Sequence, residues 1–369
     1  MEVPPFVLEP QPGRVVFGEG AVRRVPEEAD LLGLRRLLFL HSGRDTPAAE
    51  ALRSGLGERL AGQFTQVRPH VPVEVADAAA QAAADAGADG LVCLGGGSAT
   101  GTAKAVALRT GLPIVAIPTT YAGSEVTAVW GVTADGRKQT GTDARVRPAV
   151  VVYDPDLTAG LPAAMSAASG LNALAHAVEA FWAPGRTPVT ALFAAEAVRR
   201  LAEGLPAVVA DGGDRRARSV TLFGSYLAGA AFAVAGAGLH HKICHVLGGT
   251  WDLPHAQTHA VVLPYVLAWN ASRSPQAVRA VAAAGAATAS PRAAVGVLDA
   301  LARRVGAPTS LAQLGLAESA IPQAAALVAS VVPADNPRPT GEQDLALLLR
   351  CAWAGTDPVE LVDDQERTA

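Results

Sequence analysis

Residues 90–117 read GLVCLGGGSATGTAKAVALRTGLPIVAI, in which two short apolar runs flank a glycine-rich turn and an alanine-rich segment. The runs at 90–94 and 112–117 predict buried β-strands, and the segment that follows Ser98 and continues to residue 108 predicts a helix. A strand, a helix and a second strand in this order form the repeating unit of a parallel sheet covered by helices. This part of the chain therefore predicts an α/β fold.

The same alternation of apolar runs and helical patterns continues on both sides of this segment. Further buried strands are predicted at 37–41 (LLFLH) and 149–153 (AVVVY), and a helix at 76–87 (ADAAAQAAADAG). Alternation of this kind is typical of a doubly wound parallel sheet with helices on its faces. The N-terminal part of the chain is therefore predicted to contain such a sheet.

The pattern changes after residue 155. From Pro162 onward the chain shows Ala/Leu periodicity with loops marked by Gly and Pro, which predicts helices. The chain has 369 residues, and a single core stops growing at about 250–300 residues. We therefore expect two domains, an α/β dinucleotide-binding domain at 1–158 and an all-α substrate and catalytic domain at 159–369.

Composition and charge argue against several classes of partner. The net charge is −4 with no basic run, which argues against binding to nucleic acid or to an anionic membrane surface. The three cysteines, Cys93, Cys244 and Cys351, are far apart and odd in number, which argues against a disulfide framework and fits a reducing compartment. No signal peptide and no uninterrupted apolar run of membrane-spanning length is recognisable. We therefore expect a cytoplasmic protein.

Two loops that follow predicted strands carry small and hydroxyl-bearing residues. They comprise Gly95, Gly96, Gly97 and Ser98 after the strand at 90–94, and Thr119 and Thr120 after the strand at 112–117. Glycines allow the backbone to approach a pyrophosphate closely, and a helix N-terminus offers N–H donors and the positive end of its dipole. A tight turn without a ligand is the alternative for each loop, and a second such loop weakens that alternative for both.

Five of the eight histidines lie in residues 240–259, HHKICHVLGGTWDLPHAQTH. Imidazole titrates near neutrality and is the commonest metal ligand in proteins. A cluster of this density in a chain with few other histidines predicts proton transfer, metal binding or both.

The spacing of these histidines predicts that several meet at one point. Two pairs are four residues apart on predicted helices and therefore share a face: Asn172 with His176, and His241 with His245. His255 follows a Gly-Gly break and can turn back toward the second helix. Three imidazoles and an amide can then converge, which is the form of a catalytic zinc or iron site with an open position. A structural, hydrogen-bonded role is the alternative for each histidine, above all for His240 and His259.

The few lysines and one loop arginine are further candidates. The chain has three lysines, Lys104, Lys138 and Lys242, and each lies in or beside a motif. A lysine can contact a ribose or phosphate as a compact point charge, with a solvated surface lysine as the alternative. Residues 335–339 read DNPRP, a rigid loop in which Arg338 can clamp a carboxylate. A surface arginine is the alternative there.

The ordered set of these motifs resembles the iron-containing alcohol dehydrogenase superfamily. The set comprises GGGS, PTT, an i,i+4 pair on a helix, HxxxH, and PH fourteen residues after the first histidine of that motif. Within the superfamily, the segments GGGSATGTAKAVALRTGLPIVAIPTTYAGSEVTAVWG, GLNALAHAVEAFWA, GLHHKICHVLGGTWDLPHAQTHAVVLPY and DNPRP resemble those of maleylacetate reductases. The likeness runs from about Phe17 to the last predicted helix.

This resemblance implies a dehydroquinate synthase-like fold in which dinucleotide and substrate meet in a cleft between two domains. It implies reduction of the carbon–carbon double bond of maleylacetate and substituted maleylacetates to 3-oxoadipate, with NADH or NADPH, in the catabolism of aromatic compounds. The partner would be a small dicarboxylate, and we expect a homodimer. Two alternatives stay open: a metal-dependent alcohol dehydrogenase or ketoreductase acting on another carbonyl, and a non-catalytic dinucleotide-binding relative.

The resemblance also assigns metal ligands, and the chain departs from the superfamily at some positions. The superfamily's four ligands fall on Asn172, His176, His241 and His255. The first is ordinarily aspartate, and because an amide is a neutral and weaker ligand, we expect that iron or zinc is not required even if it binds. Gly101 also stands where aspartate is usual, and Ser42 where a carboxylate would bind the ribose 2′-hydroxyl. Without that carboxylate a 2′-phosphate is not repelled, so NADPH fits as well as NADH.

From these arguments we predict three groups of site residues. The catalytic group is His176, His241, His245 and His255. In it, an imidazolium at His241 or His245 stabilises a developing enolate oxygen, and His176 or His255 supplies a proton. The cofactor-binding group is Ser42, Gly95, Gly96, Gly97, Ser98, Thr119, Thr120 and Lys138. The substrate-binding group is Asn172, His240, Lys242 and Arg338.

Overall fold

The computed structural model describes Phe6, Leu8 and residues 13–43, 46–134 and 137–363 of the chain. The chain divides into two compact units, Pro10–Leu161 and Pro162–Ala369. The sequence places this division near residue 158.

The first unit is built around a parallel sheet. Its strands, in the described residues, are β1 (Arg14–Phe17), β2 (Leu37–Leu40), β3 (Leu60–Phe64), β4 (Gly90–Gly95), β5 (Ile114–Pro118), β6 (Val129–Ala134), β7 (Arg137–Thr142) and β8 (Val150–Tyr153). Six of them form one sheet in the order β1–β8–β5–β4–β2–β3, and every neighbouring pair is parallel. The other two, β6 and β7, form an antiparallel hairpin.

Helices connect these strands, and the strand order changes direction once within the sheet. They are α1 (Val25–Leu31), α2 (Pro47–Leu56), α3 (Val73–Asp85) and α4 (Gly97–Thr110). From β2 the chain moves outward to β3, then returns to β4 and continues through β5 to β8 on the other side. The strand order therefore reverses between β2 and β4, and open α/β sheets bind ligands at such a reversal. The predicted doubly wound parallel sheet is confirmed.

Burial explains which strands the sequence pattern revealed. In β2, β5 and β8 every residue is buried, and in β4 all but the last. Strands covered on both faces read as continuous apolar runs, and these four are the strands predicted from sequence, with bounds that differ by one or two residues. The edge strands β1 and β3 have mixed exposure and carry no such run.

The second unit is helical in its described residues, and the predicted all-α unit is confirmed. Its helices are α5 (Ala163–Glu179), α6 (Pro188–Ala210), α7 (Arg215–Ala235), α8 (Leu239–Trp251), α9 (His255–Asn270), α10 (Pro275–Ala282), α11 (Pro291–Arg304), α12 (Ile321–Ala329) and α13 (Glu342–Ala354). Small residues let them approach closely. A Cβ at Gly170 of α5 would lie 2.6 Å from Cδ1 of Leu205 on α6, so a larger residue there would require the side chain of Leu205 to shift.

One helix among the described residues, α7, is long and apolar enough to cross a membrane when judged by length and composition alone. It packs against α5 and α6, and 61% of its most apolar window is buried inside the protein. A core helix passes the same test of length and composition, so α7 is weak evidence for a membrane span.

Candidate active site

Three of the predicted cofactor-binding loops lie at the reversal of the strand order. Ser42 follows β2, Gly95 ends β4 at the turn into α4, and Thr119 follows β5. These three strands are parallel neighbours, so their carboxyl ends share one edge of the sheet. The α/β unit therefore brings the loops together where doubly wound sheets bind ligands.

Glycines shape the turn from β4 into α4. A Cβ at Gly96 would lie 2.9 Å from Cγ2 of Thr120, so only glycine lets the two loops approach this closely. The backbone N–H of Thr119 donates to the carbonyl of Gly95 at 3.0 Å. Among the described residues no side chain caps the N-terminus of α4, and a Cβ at Gly97 would meet nothing within 4 Å. The uncapped N–H groups and the open space beside them fit the pyrophosphate of a dinucleotide.

Lys104 does not contact a ribose or phosphate, which corrects the role considered from sequence. It is buried in α4, and its ammonium donates to the backbone oxygens of Ser124, Thr127 and Val129 at 2.6–2.8 Å and to Oγ1 of Thr127 at 3.0 Å. An ammonium has three N–H groups, so these acceptors occupy all of them. Lys104 therefore fastens the loop after β5 to α4. Burial lowers the pKa of Lys104 to about 7.

The glycine at position 101 has a steric cause. A Cβ on Gly101 of α4 would lie 2.8 Å from Cγ2 of Val71. Val71 is itself buried and has a φ of +49°, a strained backbone conformation for a β-branched residue. The aspartate that is usual in the superfamily would not fit against this side chain.

The remaining cofactor candidates lie on the surface of the α/β unit. Ser42 is exposed after β2, and Lys138 is exposed on β7, opposite Thr133 of the hairpin. Their contact with a dinucleotide stays a prediction.

The helical unit gathers six histidines from α5, α8 and α9 into one group, which we call the histidine cluster. Its members are His176, His240, His241, His245, His255 and His259. The centroids of neighbouring rings are 4.4–6.2 Å apart. All four histidines predicted to be catalytic therefore lie in this cluster.

Burial keeps four members of the cluster neutral. Desolvation, together with a smaller effect of neighbouring imidazoles, lowers the pKa of His176 to about 4 and that of His240 to about 3. The same two causes lower the pKa values of His241 and His259 well below the ordinary histidine value. These shifts argue against the imidazolium predicted at His241 and the proton predicted from His176, and both roles stay predictions.

The two other members of the cluster are exposed in the helical unit. They are His245 on α8 and His255 at the start of α9, and their rings are stacked with centroids 6.2 Å apart. Water can reach these two imidazoles, and their catalytic roles stay predictions.

His240 is not a cation for the substrate, contrary to the sequence prediction. It is fully buried, and its Nε2 lies 2.9 Å from Nδ1 of His259 in a hydrogen bond. Desolvation costs an enclosed imidazolium several kcal/mol. This bond instead ties α8 to α9, which is the structural role left open for both histidines.

Glu179, at the end of α5, contacts the cluster and was missed by the sequence interpretation. It is fully buried, its Oε1 accepts the backbone N–H of His240 at 2.6 Å, and its other oxygen contacts Nδ1 of His241. Burial raises the pKa of its carboxyl to about 7, while backbone N–H groups and the charge of Lys242 oppose the rise. Glu179 lies three residues after His176 and therefore shares its helix face, which is the signal the sequence offered.

Arg338 lies too far from the cluster to clamp the same substrate. Its guanidinium stacks on the indole of Trp269, with Cζ 3.5 Å from the ring centroid. Trp269 is 10 residues beyond His259 and 14 beyond His255 on α9. At about 1.5 Å of rise per residue, those separations are about 15 and 21 Å. The two carboxylates of a six-carbon dicarboxylate are only about 7 Å apart. This separation argues against the predicted clamp, which stays a prediction.

The other two substrate candidates stay near the cluster. Asn172 is buried on α5, one turn before His176, and Lys242 is half-buried on α8, next to His241. Their contact with a substrate stays a prediction.

Comparison with known proteins gives the family. The profile described as "Iron-containing alcohol dehydrogenase" matches residues 12–155, and that described as "Fe-containing alcohol dehydrogenase family, C-terminal" matches residues 166–353. The chain belongs to the iron-containing alcohol dehydrogenase family. It is an oxidoreductase of that family, and its fold is the family's fold.

Within the family the chain is similar to maleylacetate reductases. It is 48% identical to the maleylacetate reductase of Sphingobium indicum over 96% of this chain and 99% of that enzyme. The crystal structure of maleylacetate reductase from Agrobacterium tumefaciens has a TM-score of 0.90 at 44% identity and covers 96% of this chain and 100% of that one. The iron-containing alcohol dehydrogenase of Corynebacterium glutamicum has a TM-score of 0.92 at 46% identity, with 98% and 100% covered.

The family's name implies iron, and that a metal is not required stays a prediction, since Asn172 offers a neutral amide where the superfamily ordinarily has aspartate. The predicted ligands are a neutral amide and three imidazoles, without a carboxylate to balance the charge. Among the described residues, one group of three metal-ligating side chains brings its ligand atoms within 4.8 Å of one another: His240, His241 and His259. We derive no step through a metal.

Proposed function

We propose that this chain reduces the carbon–carbon double bond of maleylacetate with NADH or NADPH and releases 3-oxoadipate. The observation that carries the proposal is the 48% identity to a maleylacetate reductase across 96% of the chain. The geometry supports it in each unit separately, with a dinucleotide-binding edge on the parallel sheet and a histidine cluster that has two exposed members.

In the α/β unit the N-terminus of α4 binds the pyrophosphate through its uncapped N–H groups. Gly96 lets the backbone approach, and the hydroxyls of Thr119 and Thr120 line the neighbouring loop. Ser42 presents no carboxylate to a 2′-phosphate, so both NADH and NADPH are accepted. The ratio of kcat/KM for the two cofactors measures this tolerance.

In the helical unit the exposed histidines act on the substrate. When bound, the reduced nicotinamide supplies a hydride to the alkene carbon β to the ketone. Electron density then moves onto the ketone oxygen, which a donor must stabilise. We assign this role to a ring N–H of His245, which is exposed on α8.

The second hydrogen arrives as a proton. We assign its delivery to a ring nitrogen of His255, which protonates the carbon α to the ketone as the ketone re-forms. One hydride and one proton saturate the double bond. His176 and His241 are neutral in this mechanism, because burial lowers the pKa values of both imidazoles.

Two groups near the cluster suit the carboxylates of the substrate. The ammonium of Lys242 supplies positive charge, and the amide of Asn172 offers hydrogen-bond donors. Both are proposed substrate contacts, in place of His240 and Arg338.

The rival within the family is a metal-dependent alcohol dehydrogenase or ketoreductase, which the description of the family favours. Loss of NAD(P)H absorbance separates the two when freshly prepared maleylacetate is compared with a panel of aldehydes and ketones, each with and without chelator. We expect the fastest turnover with maleylacetate, unchanged by the chelator. Turnover confined to aldehydes or ketones and lost on chelation would overturn the proposal.

We also propose that the chain works as a cytoplasmic homodimer, without a nucleic acid or membrane partner. The net charge of −4, with no basic run, argues against a nucleic acid or an anionic membrane as partner. Light scattering on the purified protein should give twice the mass of one chain, and the mass of a single chain would contradict the homodimer.

A further inference from the structure

One buried carboxylate joins two helices of the candidate active site. Glu179 is the last residue of α5, and its Oε1 accepts the backbone N–H groups of His240 at 2.6 Å and His241 at 3.4 Å. These N–H groups belong to the first turn of α8, which has no cap from its own N-cap residue. The other carboxylate oxygen contacts Nδ1 of His241. The same group therefore caps the helix and holds an imidazole.

The backbone of α8 is shaped to admit this carboxylate. A Cβ at Gly238, the N-cap of α8, would lie 2.9 Å from Oε1 and 3.1 Å from Cδ of Glu179. Any other residue there would push the carboxylate away from the helix N-terminus. Gly238 therefore leaves the space in which Glu179 of α5 contacts the N-terminus of α8.

The contact sets which nitrogen of His241 carries the proton. When Glu179 is ionised, both of its oxygens only accept hydrogen bonds, so Nδ1 of His241 is the donor and Nε2 keeps its lone pair. Within the described part of the chain, Nε2 of His241 is buried and has no hydrogen-bond partner. The ring faces His176 and Phe232, with centroids 5.0 and 4.4 Å away. The lone pair of Nε2 of His241 therefore lies inside the histidine cluster.

We infer that Glu179 is a positioning residue, which fixes His241 in its Nδ1–H form and directs the Nε2 lone pair into the histidine cluster. Nε2 of His241 then accepts a hydrogen bond from a donor in the site, while Nδ1–H donates to Glu179. The effect of Glu179 on turnover rests on the proposed reductase function, whereas its control of the tautomer does not. In many enzymes a carboxylate that accepts one ring N–H of a functional histidine fixes the orientation and tautomer of that ring.

The substitution Glu179→Gln tests the inference with little change of shape. Its carbonyl oxygen can still accept the N–H groups of α8, but its NH₂ group donates toward Nδ1 and so moves the proton of His241 to Nε2. We expect ¹⁵N NMR of the histidine rings at mildly alkaline pH to show Nδ1–H in the wild type and Nε2–H in E179Q. We expect kcat for maleylacetate to fall about 10- to 100-fold with KM for NAD(P)H unchanged.

A matched control separates positioning from stability. Glu28 is also a fully buried carboxylate, held by Arg14 and Arg24 in the α/β unit. We expect Glu28→Gln to lower the melting temperature while leaving kcat and the His241 signal unchanged. The inference is overturned if E179Q keeps the wild-type tautomer, whatever its kcat, or if it changes the tautomer at full kcat. If the wild type does not reduce maleylacetate, the proposed function fails, and the NMR comparison still tests the control of the tautomer.

Discussion

His245 and His255 are exposed in the helical unit, while burial lowers the pKa values of the other four histidines in the cluster. The difference comes from desolvation, which penalises the charged form of any imidazole removed from water. His245 shares a helix face with His241 yet keeps contact with solvent. His245 is therefore the proposed donor to the developing oxyanion, because it is exposed whereas His241 is buried.

His245→Ala tests this assignment. Removal of the donor should lower kcat by about 100- to 10,000-fold, while NAD(P)H still binds because its loops lie in the other unit. Steady-state assays with maleylacetate and fluorescence titration of NAD(P)H measure the two effects. His70→Asn, at an exposed histidine of the α/β unit, is the control and should retain activity. Near-normal turnover in His245→Ala would remove this histidine from the mechanism.

Gly238→Ala and Gly249→Ala compare two glycines of α8. A Cβ at position 238 would clash with Glu179, whereas one at position 249 would meet nothing within 4 Å. We expect the first substitution to lower the free energy of unfolding by about 1–3 kcal/mol. The second should leave it unchanged or raise it by up to about 1 kcal/mol, because alanine favours a helix over glycine. Urea denaturation measures both, and equal effects would contradict the close contact of Gly238 with Glu179.

The sequence gives the membership of the cluster better than the role of each member. Spacings of four residues place His176 and His241 on helix faces, and both lie in the cluster. Glu179 goes unassigned because its partner lies on another helix, 62 residues away. The stacking of Arg338 on Trp269 goes unpredicted because it depends on where the loop of Arg338 meets α9. Burial and partners in space are tertiary properties that spacing does not contain.

At the level of elements, β4, α4 and β5 follow directly from residues 90–117. The central strands are buried on both faces and leave continuous apolar runs in the sequence, whereas β1, β3 and the β6–β7 hairpin do not. The edge strands form because the sheet beside them provides partners. Their existence is therefore set by the sheet and not by their own pattern.

Lys104→Met tests how α4 and the loop after β5 are held together. The substitution removes hydrogen bonds to three backbone carbonyls and leaves them buried, which should cost about 1–3 kcal/mol and weaken NAD(P)H binding. Arg109→Met on the same helix is the control, since its pair with Asp77 is partly exposed and contributes little. Thermal melts and cofactor titrations measure the effects. Equal behaviour of the two variants would show that Lys104 does not fasten the loop.

For the whole molecule, the buried titratable groups predict a loss of stability in mild acid. An unfolded histidine titrates near pH 6.5, and the four buried ones have lower pKa values in the folded state. Below pH 6.5 the unfolded chain therefore binds more protons, so stability falls as the pH falls toward 4. Glu179 acts in the opposite sense, because its pKa is raised from 4.5 to about 7 and the folded state holds an extra proton in that window.

Four imidazoles outweigh the two buried carboxyls whose pKa values are raised, Glu125 and Glu179, so the net slope keeps the sign set by the histidines. Urea denaturation at a series of pH values should show stability that decreases steadily between pH 6.5 and 4. His176→Leu, which removes one buried imidazole, should make the slope shallower. A stability that is constant across this range would contradict the neutral, buried state of these histidines.

The central claim is that this chain reduces a carbon–carbon double bond and leaves the ketone intact. The most direct test supplies maleylacetate with NAD(P)H carrying deuterium at the transferable position and identifies the product by mass spectrometry and NMR. We predict 3-oxoadipate with a single deuterium on the carbon β to the ketone and one cofactor oxidised for each product formed. A hydroxy acid that keeps its double bond and carries the deuterium on the alcohol carbon would contradict the account.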